Sequence, residues 1–203
     1  MLILGASSSG AEVIEEAKYK ALINENNFEL RQYEAQILAE TSVEGDFSEV
    51  GNEGFRRLFK YISGENRRRQ PIPMTAPVDL EEFSEKIEMT APVNQQKKAS
   101  FWIVSFLMPS IYTLETIPQP IDERIHIREA PSRLIAAVRY SGTWSRKVFE
   151  EKKAQLEGFI LKNNLEMAGD AIFARYNPPF TLWFLRRNEV LIPVEWKDAR
   201  NPG

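Results

Sequence analysis

The spacing of apolar residues changes along the chain, and each change predicts a new element. Residues 28–33 alternate apolar and polar side chains with a period of two, which predicts a half-buried strand, and residues 36–43 are its expected hairpin partner. Residues 49–63 carry apolar side chains at helical spacing. Ser48 is a favourable N-cap for that helix, and Gly64 stands where a helix is expected to end.

The second half of the chain shows a similar succession of patterns. The most apolar run predicts a central buried strand, and two shorter strands, a helix behind the N-cap Ser145 and a closing strand follow it. These elements are expected at residues 100–108, 125–129, 134–140, 146–163 and 190–196. Groups of strands separated by single helices indicate an α+β fold.

An ungapped alignment of residues 30–48 with residues 127–145 indicates that the two halves are related. Ser48 then meets Ser145, and a predicted helix follows both serines. We predict two copies of a strand-strand-helix-strand unit around a pseudo-twofold axis, with one helix from each half lying against shared strands. A cleft between such halves is the default place for a ligand.

The sequence Met-Thr-Ala-Pro-Val occurs twice in the middle of the chain. Residues 72–78 and 87–93 share six of seven letters at an offset of fifteen residues. Ala76 and Ala91 precede proline, so both should be extended, and the prolines place each copy at a strand end or a sheet edge. Two interpretations stay open: a purely structural repeat, or methionine thioethers that line an apolar pocket.

The composition limits the chemistry that the chain can perform. Its 203 residues, 43% hydrophobic and 27% charged, suffice for one globular domain. A formal net charge of −3 argues against nucleic-acid binding. The chain has no cysteine and one histidine, His126, which excludes disulfides, thiolate nucleophiles and histidine-rich metal sites. No paired acids and no glycine-rich phosphate loop are recognisable, so we expect no catalytic residues and no enzyme.

The chain is expected to divide into a lead-in, one domain and a tail, at residues 1–26, 27–196 and 197–203. The lead-in starts with an apolar run that is too short to span a membrane and has no basic residues before it. It is either the remnant of a signal or anchor segment or a frayed start. Membrane attachment is expected only if such an anchor was removed, and the compartment, cytoplasmic or exported, stays open.

Several segments together resemble one family. They are the doubled Met-Thr-Ala-Pro-Val sequence and residues 55–64, 140–144 and 176–189, and their joint pattern resembles the SOUL haem-binding family over residues 27–196. The resemblance implies a distorted β-barrel of two pseudo-symmetric halves, each with strands and one flanking helix, similar to bacterial effector-binding domains. It also implies reversible, non-covalent binding of haem or a related tetrapyrrole in an apolar cleft, as a carrier, buffer or sensor.

The resemblance assigns the tetrapyrrole contacts to the first helix and to the segment around the Pro-Pro pair. Carried over to this chain, the apolar contacts are Phe55, Leu58, Phe59, Ile62, Tyr176, Pro178, Phe180, Trp183 and Phe184. Haem also carries two propionates, and the arginine fork binds carboxylates through paired hydrogen bonds. Arg56 and Arg186 are therefore the expected cations, with Arg57, Lys60 and Arg187 nearby. The alternative is that the helix stripe is core and that these cations are solvated surface charges.

The iron ligand stays open. Some members of the family are proposed to use a histidine, but His126 does not match that position, and it is expected on the strand side opposite Ile125 and Ile127. Thioether and phenol groups are further candidates without special support: Met74, Met89, Tyr33, Tyr140 and Tyr176. We therefore assign no metal-ligating residue.

Two other functions compete with tetrapyrrole binding. A barrel of this type could hold another hydrophobic or cationic small molecule, with Glu189 or Glu195 in the cleft as its anionic partner or as the base of a hydrolase. Alternatively, the aromatic segment after residue 176 could dock a protein. The preferred partner is haem or a porphyrin, and the chain is expected to be a monomer.

Overall fold

The computed structural model describes residues 14–83, 101–177 and 180–197. The helices are α1 (Phe47–Ile62) and α2 (Arg146–Lys162), and a short 3-10 helix spans Trp183–Leu185. The strands are β1 (Glu15–Glu16), β2 (Tyr19–Glu25), β3 (Phe28–Tyr33), β4 (Gln36–Glu44), β5 (Thr75–Ala76), β6 (Val78–Phe83), β7 (Phe101–Leu107), β8 (Ile125–Ala130), β9 (Arg133–Tyr140), β10 (Leu165–Met167), β11 (Ile172–Arg175) and β12 (Asn188–Trp196). In this part of the chain no helix is both long and apolar enough to cross a membrane.

One curled antiparallel sheet contains every described strand except β1 and β5, which form a short parallel pair. The order of the sheet is β2-β3-β9-β12-β11-β6-β7-β4-β8, and β10 pairs with β12 beside this path. α1 packs on β4 and β7, whereas α2 packs on β9, β10 and β12, and both helices contribute to one hydrophobic cluster. This arrangement confirms the predicted α+β, barrel-like fold with two helices.

The strand order has the symmetry that two related halves would produce. The succession β3-β9-β12-β11 from one end corresponds to β8-β4-β7-β6 from the other. β3 and β4 of the predicted first copy pair with β9 and β8 of the second, respectively. The two halves therefore share their strands, while the duplication of the sequence itself stays a prediction.

The predicted hairpin between residues 28–33 and 36–43 is wrong, although both strands are present as β3 and β4. β3 pairs with β2 and β9, whereas β4 pairs with β7 and β8. A tight hairpin favours Asn-Gly or Asp-Gly at its turn, and Glu34-Ala35 offers neither. β3 turns back on β2 instead, through Asn26, whose φ of 55° lies in the left-handed region that asparagine tolerates.

The two helices begin close to their predicted starts. α1 begins at Phe47 with Asp46 as its N-cap, so the prediction of Ser48 as the cap is wrong. Phe47 is buried against three aromatic rings of the core, which favours its inclusion in the first helical turn. For α2 the predicted cap is confirmed, since the Ser145 hydroxyl accepts a hydrogen bond from the Val148 amide at 3.3 Å.

Gly54 allows α1 to lie close against the sheet. A Cβ atom at this position would lie 2.4 Å from Cγ2 of Val104 on β7. A larger residue would therefore push the helix away from the strand, because a packed interior has no room to absorb it. The close approach places the flank of α1 that carries Phe55 and Phe59 beside the first Met-Thr-Ala-Pro-Val copy.

This first copy is extended, as its sequence predicts. Thr75 and Ala76 form β5 and are buried, and the Thr75 hydroxyl donates a hydrogen bond to the carbonyl oxygen of Leu107. β6 begins directly after Pro77. The second copy, at residues 87–93, lies outside the described residues.

Candidate functional site

An apolar cleft of about 470 Å³ lies between α1, the first Met-Thr-Ala-Pro-Val copy and the segment around the end of β11. Its volume falls in the range of small-molecule sites. The residues that line it are Ile14, Gly51, Asn52, Phe55, Phe59, Met74, Thr75, Ala76, Val78, Trp144, Arg175, Tyr176, Asn177 and Phe180. Most of these side chains are apolar or aromatic, so the cleft suits a large apolar ligand.

Phe55 and Phe59 form an aromatic wall on α1. Their rings stack with centroids 5.7 Å apart, and the Phe55 ring also meets Phe106 of β7 edge-on, with centroids 5.3 Å apart. Phe55 is thus held by the core, whereas Phe59 is 48% exposed. Phe180, after β11, is 86% exposed. The cleft is therefore firmly packed at its inner end and opens to solvent beside Phe59 and Phe180.

Arg175 brings a positive charge into this apolar cleft. Its guanidinium carbon lies 4.6 Å from the ring centroid of Trp144 and 4.9 Å from that of Phe173. Gly51 on α1 makes room for the group, because a Cβ atom there would lie 2.9 Å from Nη1 of Arg175. Nε is buried without a hydrogen-bond partner, and no ion pair joins the group to a carboxylate within the described ranges. Burial lowers the pKa of Arg175 to about 10.

The predicted contacts on α1 are divided between the cleft and the core. Phe55 and Phe59 line the cleft. Leu58 and Ile62 are buried in the main core and are 0% and 4% exposed, respectively. A helical apolar stripe is wide enough to serve both places, and spacing alone does not tell which residues lie at its edge.

The predicted contacts after β11 are divided in the same way. Tyr176 and Phe180 line the cleft, and Pro178 lies outside the described residues. Trp183 and Phe184 lie on the 3-10 helix, where both are more than half exposed. Their rings pack against each other with centroids 5.6 Å apart, outside the lining of the cleft.

The expected cations lie on different sides of α1. Arg56 lines a separate polar groove of about 1030 Å³, together with Arg57 and Lys60. Arg186, in contrast, lies beside the cleft, because its guanidinium carbon is 4.2 Å from the ring centroid of Trp144. Of the two cations chosen from the sequence, Arg186 is therefore the one next to the candidate site.

Glu189 lies at the centre of a buried ion cluster. Its carboxylate is fully buried and accepts hydrogen bonds from Arg31 at 2.6 and 3.2 Å, from Arg187 at 3.0 and 3.1 Å, and from the Tyr176 hydroxyl at 2.8 Å. Burial alone would raise the pKa of Glu189, but the two arginines outweigh it and hold that pKa below its usual range. Glu195 is exposed on β12. Neither carboxylate is among the described residues that line the cleft.

The candidate iron ligands are distributed unevenly. His126 is exposed on β8 and does not line the cleft, and its neighbours Ile125 and Ile127 pack in the core, as predicted. Met74 and Tyr176 do line the cleft. The remaining candidates are buried away from it or lie outside the described residues: Tyr33, Tyr140 and Met89. Within the described ranges no group of three or more His, Asp or Glu side chains is arranged to hold a metal ion.

Arg175 and Trp144, which give the cleft its charge and part of its aromatic wall, were not among the contacts predicted from the sequence. Arg175 follows the apolar run Ile172-Phe173-Ala174. A single charge inside an apolar strand is a usable signal, since a buried charge needs a partner in the protein or in a ligand. Trp144 ends one of the segments that carry the family resemblance, residues 140–144, but the resemblance assigned no ligand contact to it.

Comparison with known proteins extends over nearly all of the chain. Residues 14–193 match the family model described as "SOUL heme-binding protein". "Heme-binding protein 1" of Xenopus tropicalis is 25% identical over 169 residues, which covers 79% of this chain and 84% of that protein. "Heme-binding protein 2" of Homo sapiens is 24% identical over 198 residues, which covers 91% of this chain and 92% of that protein.

Solved structures resemble the fold at lower identity. The C-terminal domain of EcmrR has a TM-score of 0.60 and 11% identity, and the match covers 88% of this chain and 98% of that one. A hydrolase from Listeria innocua has a TM-score of 0.56 and 10% identity, with 86% and 94% covered. At these identities the likeness concerns the fold alone, and it confirms the predicted fold.

Proposed function

The chain belongs to the SOUL haem-binding protein family, and from this premise we propose that it binds haem or a related tetrapyrrole reversibly in the apolar cleft beside α1. The observation that carries the proposal is the combination, in one cleft, of aromatic walls and an arginine without a carboxylate partner among the described residues. Its role is that of a carrier, buffer or sensor rather than a catalyst.

The cleft residues fit the chemistry of a porphyrin. A flat macrocycle gains free energy by burying apolar surface and by stacking on rings. Phe55, Phe59 and Trp144 supply the rings. The acidic side chains of the macrocycle need cations, and Arg175 lies within the cleft while Arg186 lies over Trp144. The protein thus offers both kinds of contact in one place.

Apolar contact, rather than a strong iron ligand, would hold haem here. When bound, haem supplies an iron that accepts an axial donor, and Met74 and Tyr176 are the candidate donors among the described lining residues. The Tyr176 hydroxyl already donates a hydrogen bond to Glu189. His126 lies on an exposed strand position away from the cleft. Weak ligation suits a protein that takes up and releases its ligand.

A haem titration tests the proposed site. Absorbance and tryptophan fluorescence are followed for the wild type, for Phe55→Ala with Phe59→Ala, and for Trp183→Ala with Phe184→Ala. The second pair also removes two rings, but outside the lining of the cleft. We expect saturable one-to-one binding that the cleft pair weakens on the order of tenfold, from lost stacking and burial. His126→Ala should leave the affinity unchanged.

Two results would change the assignment. Uptake that never saturates would remove the tetrapyrrole function. A larger loss in the 3-10 helix pair would move the site to Trp183 and Phe184, two of the contacts that the family resemblance implies.

A second candidate function is an effector-binding module for another hydrophobic or cationic small molecule. The fold likeness to the C-terminal domain of EcmrR favours it. The charge of the cleft opposes a cationic ligand, since Arg175 lines it and Glu189 is engaged by Arg31 and Arg187. The same engagement argues against Glu189 as the base of a hydrolase on this scaffold, and the other candidate base, Glu195, is exposed on β12 and does not line the cleft. A lipophilic cation that competes with haem for the cleft would support the effector module.

Protein docking is the remaining alternative. The 3-10 helix exposes Trp183, Phe184 and Leu185 side by side. A docking protein would show a stoichiometric complex that is lost in the Trp183→Ala, Phe184→Ala variant, together with no saturable haem binding.

A further inference from the structure

We propose that Arg175 recognises a carboxylate of the ligand inside the cleft, so that the site selects free-acid porphyrins over their esters. This inference rests on the proposed tetrapyrrole function and adds the ligand class and the point of charge recognition. It places one acid group of the ligand at the inner end of the cleft.

Arg175 has no carboxylate partner among the residues that the structure describes. Buried charges are normally paired, because removing a charge from water costs more than burial returns. Arg31 and Arg187 follow this rule, since both bind the Glu189 carboxylate. Nε of Arg175 is buried without an acceptor, and no described carboxylate forms an ion pair with the group. An acid supplied by the ligand would complete the site.

Aromatic rings orient the guanidinium group of Arg175. Its carbon lies within 5 Å of the ring centroids of Trp144 and Phe173. Aromatic rings near the guanidinium hold it through cation–π contacts, while carboxylates bind to its N–H edges. The rings therefore orient the guanidinium group without accepting the hydrogen bonds that its N–H groups donate. Arg175 is prepared for a bidentate carboxylate rather than for a point charge.

Gly51 on α1 lies against the guanidinium group of Arg175. A Cβ atom at position 51 would lie 2.9 Å from Nη1 and 3.3 Å from Nη2 of Arg175. Glycine thus keeps open the space in which the guanidinium group lies. This contact provides a variant that displaces the group without removing its charge.

The test compares protoporphyrin IX with its dimethyl ester, so that iron ligation does not contribute. Dissociation constants come from quenching of tryptophan fluorescence. We expect the wild type to prefer the diacid by roughly tenfold to a hundredfold, the usual effect of a buried charge-assisted hydrogen bond. Arg175→Met should abolish most of that preference by weakening the binding of the diacid. The dissociation constant of the ester should change by no more than about threefold, which is less than the loss of a hydrogen bond to a charged group would cause.

Three further variants isolate the cause. Arg175→Lys should retain part of the preference, because it keeps the charge but not the fork. Gly51→Ala should reduce the preference with the charge intact. Arg56→Met serves as the matched control, since it removes a cation from the opposite groove and should leave the preference unchanged.

The proposal is overturned if the wild type binds acid and ester equally, or if Arg175→Met keeps the preference. Loss of the preference in Arg56→Met alone would likewise overturn it and assign recognition to the polar groove. In each of these results binding still saturates, so the tetrapyrrole function stands. Absence of saturable binding to either porphyrin would remove both proposals together.

Discussion

Arg31 and Arg175 both extend from strands into protected surroundings, yet their environments are opposite. Arg31 is 2% exposed and binds the Glu189 carboxylate with two hydrogen bonds. Burial alone would lower the pKa of Arg31, but Glu189 outweighs it and raises that pKa. Among the described residues, Arg175 has aromatic rings as neighbours and no carboxylate partner, and burial lowers its pKa. A paired charge belongs to the fold, whereas an unpaired charge in a cleft is available to a ligand.

The largest expected effect comes from removing the negative charge of Glu189, with which Arg31 is paired. Glu189→Gln removes the buried carboxylate that Arg31 and Arg187 share, and leaves Arg31 with Glu29 and Arg187 with Glu16 as their ion-pair partners. Because Arg31 stays buried with only part of its counter-charge, the free energy of unfolding should fall by about 3 kcal/mol. Urea unfolding measures the change. Glu195→Gln, on the exposed part of β12, is the control and should stay within about 0.5 kcal/mol. A loss under 1 kcal/mol at Glu189 would mean that the cluster is solvated.

The next effect concerns Asp79, a carboxyl group that forms no ion pair with the described residues. Burial raises the pKa of Asp79 to about 7, and its Oδ1 has no hydrogen-bond partner among the described residues. Between the unfolded value of 3.8 and about 7, the folded state keeps a proton that the unfolded state has lost. This group therefore stabilises the fold at low pH and loses that contribution as the pH rises, by up to about 1.4 kcal/mol per pH unit.

Asp79→Asn removes the titration and provides the measurement. The difference in unfolding free energy between Asp79→Asn and the wild type should grow from pH 4 to pH 7 and then level off, in favour of the variant. A constant difference across that range would contradict the raised pKa.

A smaller effect is expected from Arg175→Met in the protein without ligand. The variant removes an unpaired, partly buried charge and keeps an apolar side chain of similar reach, so the midpoint of urea unfolding should rise by the equivalent of about 1 kcal/mol. Arg31→Met should show the reverse, a clear loss. If both variants lose stability alike, the two arginines have the same structural role, and the contrast between them fails.

The smallest effect is expected for an exposed ion pair. Lys162 and Glu25 lie 2.6 Å apart, with side chains 67% and 37% exposed. Lys162→Met should therefore change the free energy of unfolding by at most about 0.5 kcal/mol, and added salt should erase the change. A larger loss would show that distance, rather than burial, decides what an ion pair contributes here.

Both helices and most strands could be predicted from the sequence, but the pairing of the strands could not. Periodicity located both helices and most strands, because each pattern is local. Pairing depends on turn chemistry, and the short link at Glu34-Ala35 looked like a hairpin by length although its residues do not favour that turn. The resemblance gave the fold, since a family pattern carries information that periodicity lacks.

Only part of the candidate site could be predicted, because helical spacing does not tell which residues of a stripe face the cleft. Phe55, Phe59, Tyr176 and Phe180 line the cleft, as the resemblance implies. Leu58 and Ile62 share the same helical stripe but face the core. The direction of a side chain at the edge of a stripe depends on the neighbouring elements.

The crosswise pairing of β3 with β9 and of β4 with β8 also affects how the chain can fold during synthesis. Tyr33 pairs with Arg133, so β3 has only β2 beside it until most of the protein has left the ribosome. Pairings between distant parts of a chain form slowly and leave strand edges exposed meanwhile. Neither half can complete its sheet alone. The newly made chain should therefore depend on chaperones until its last third emerges.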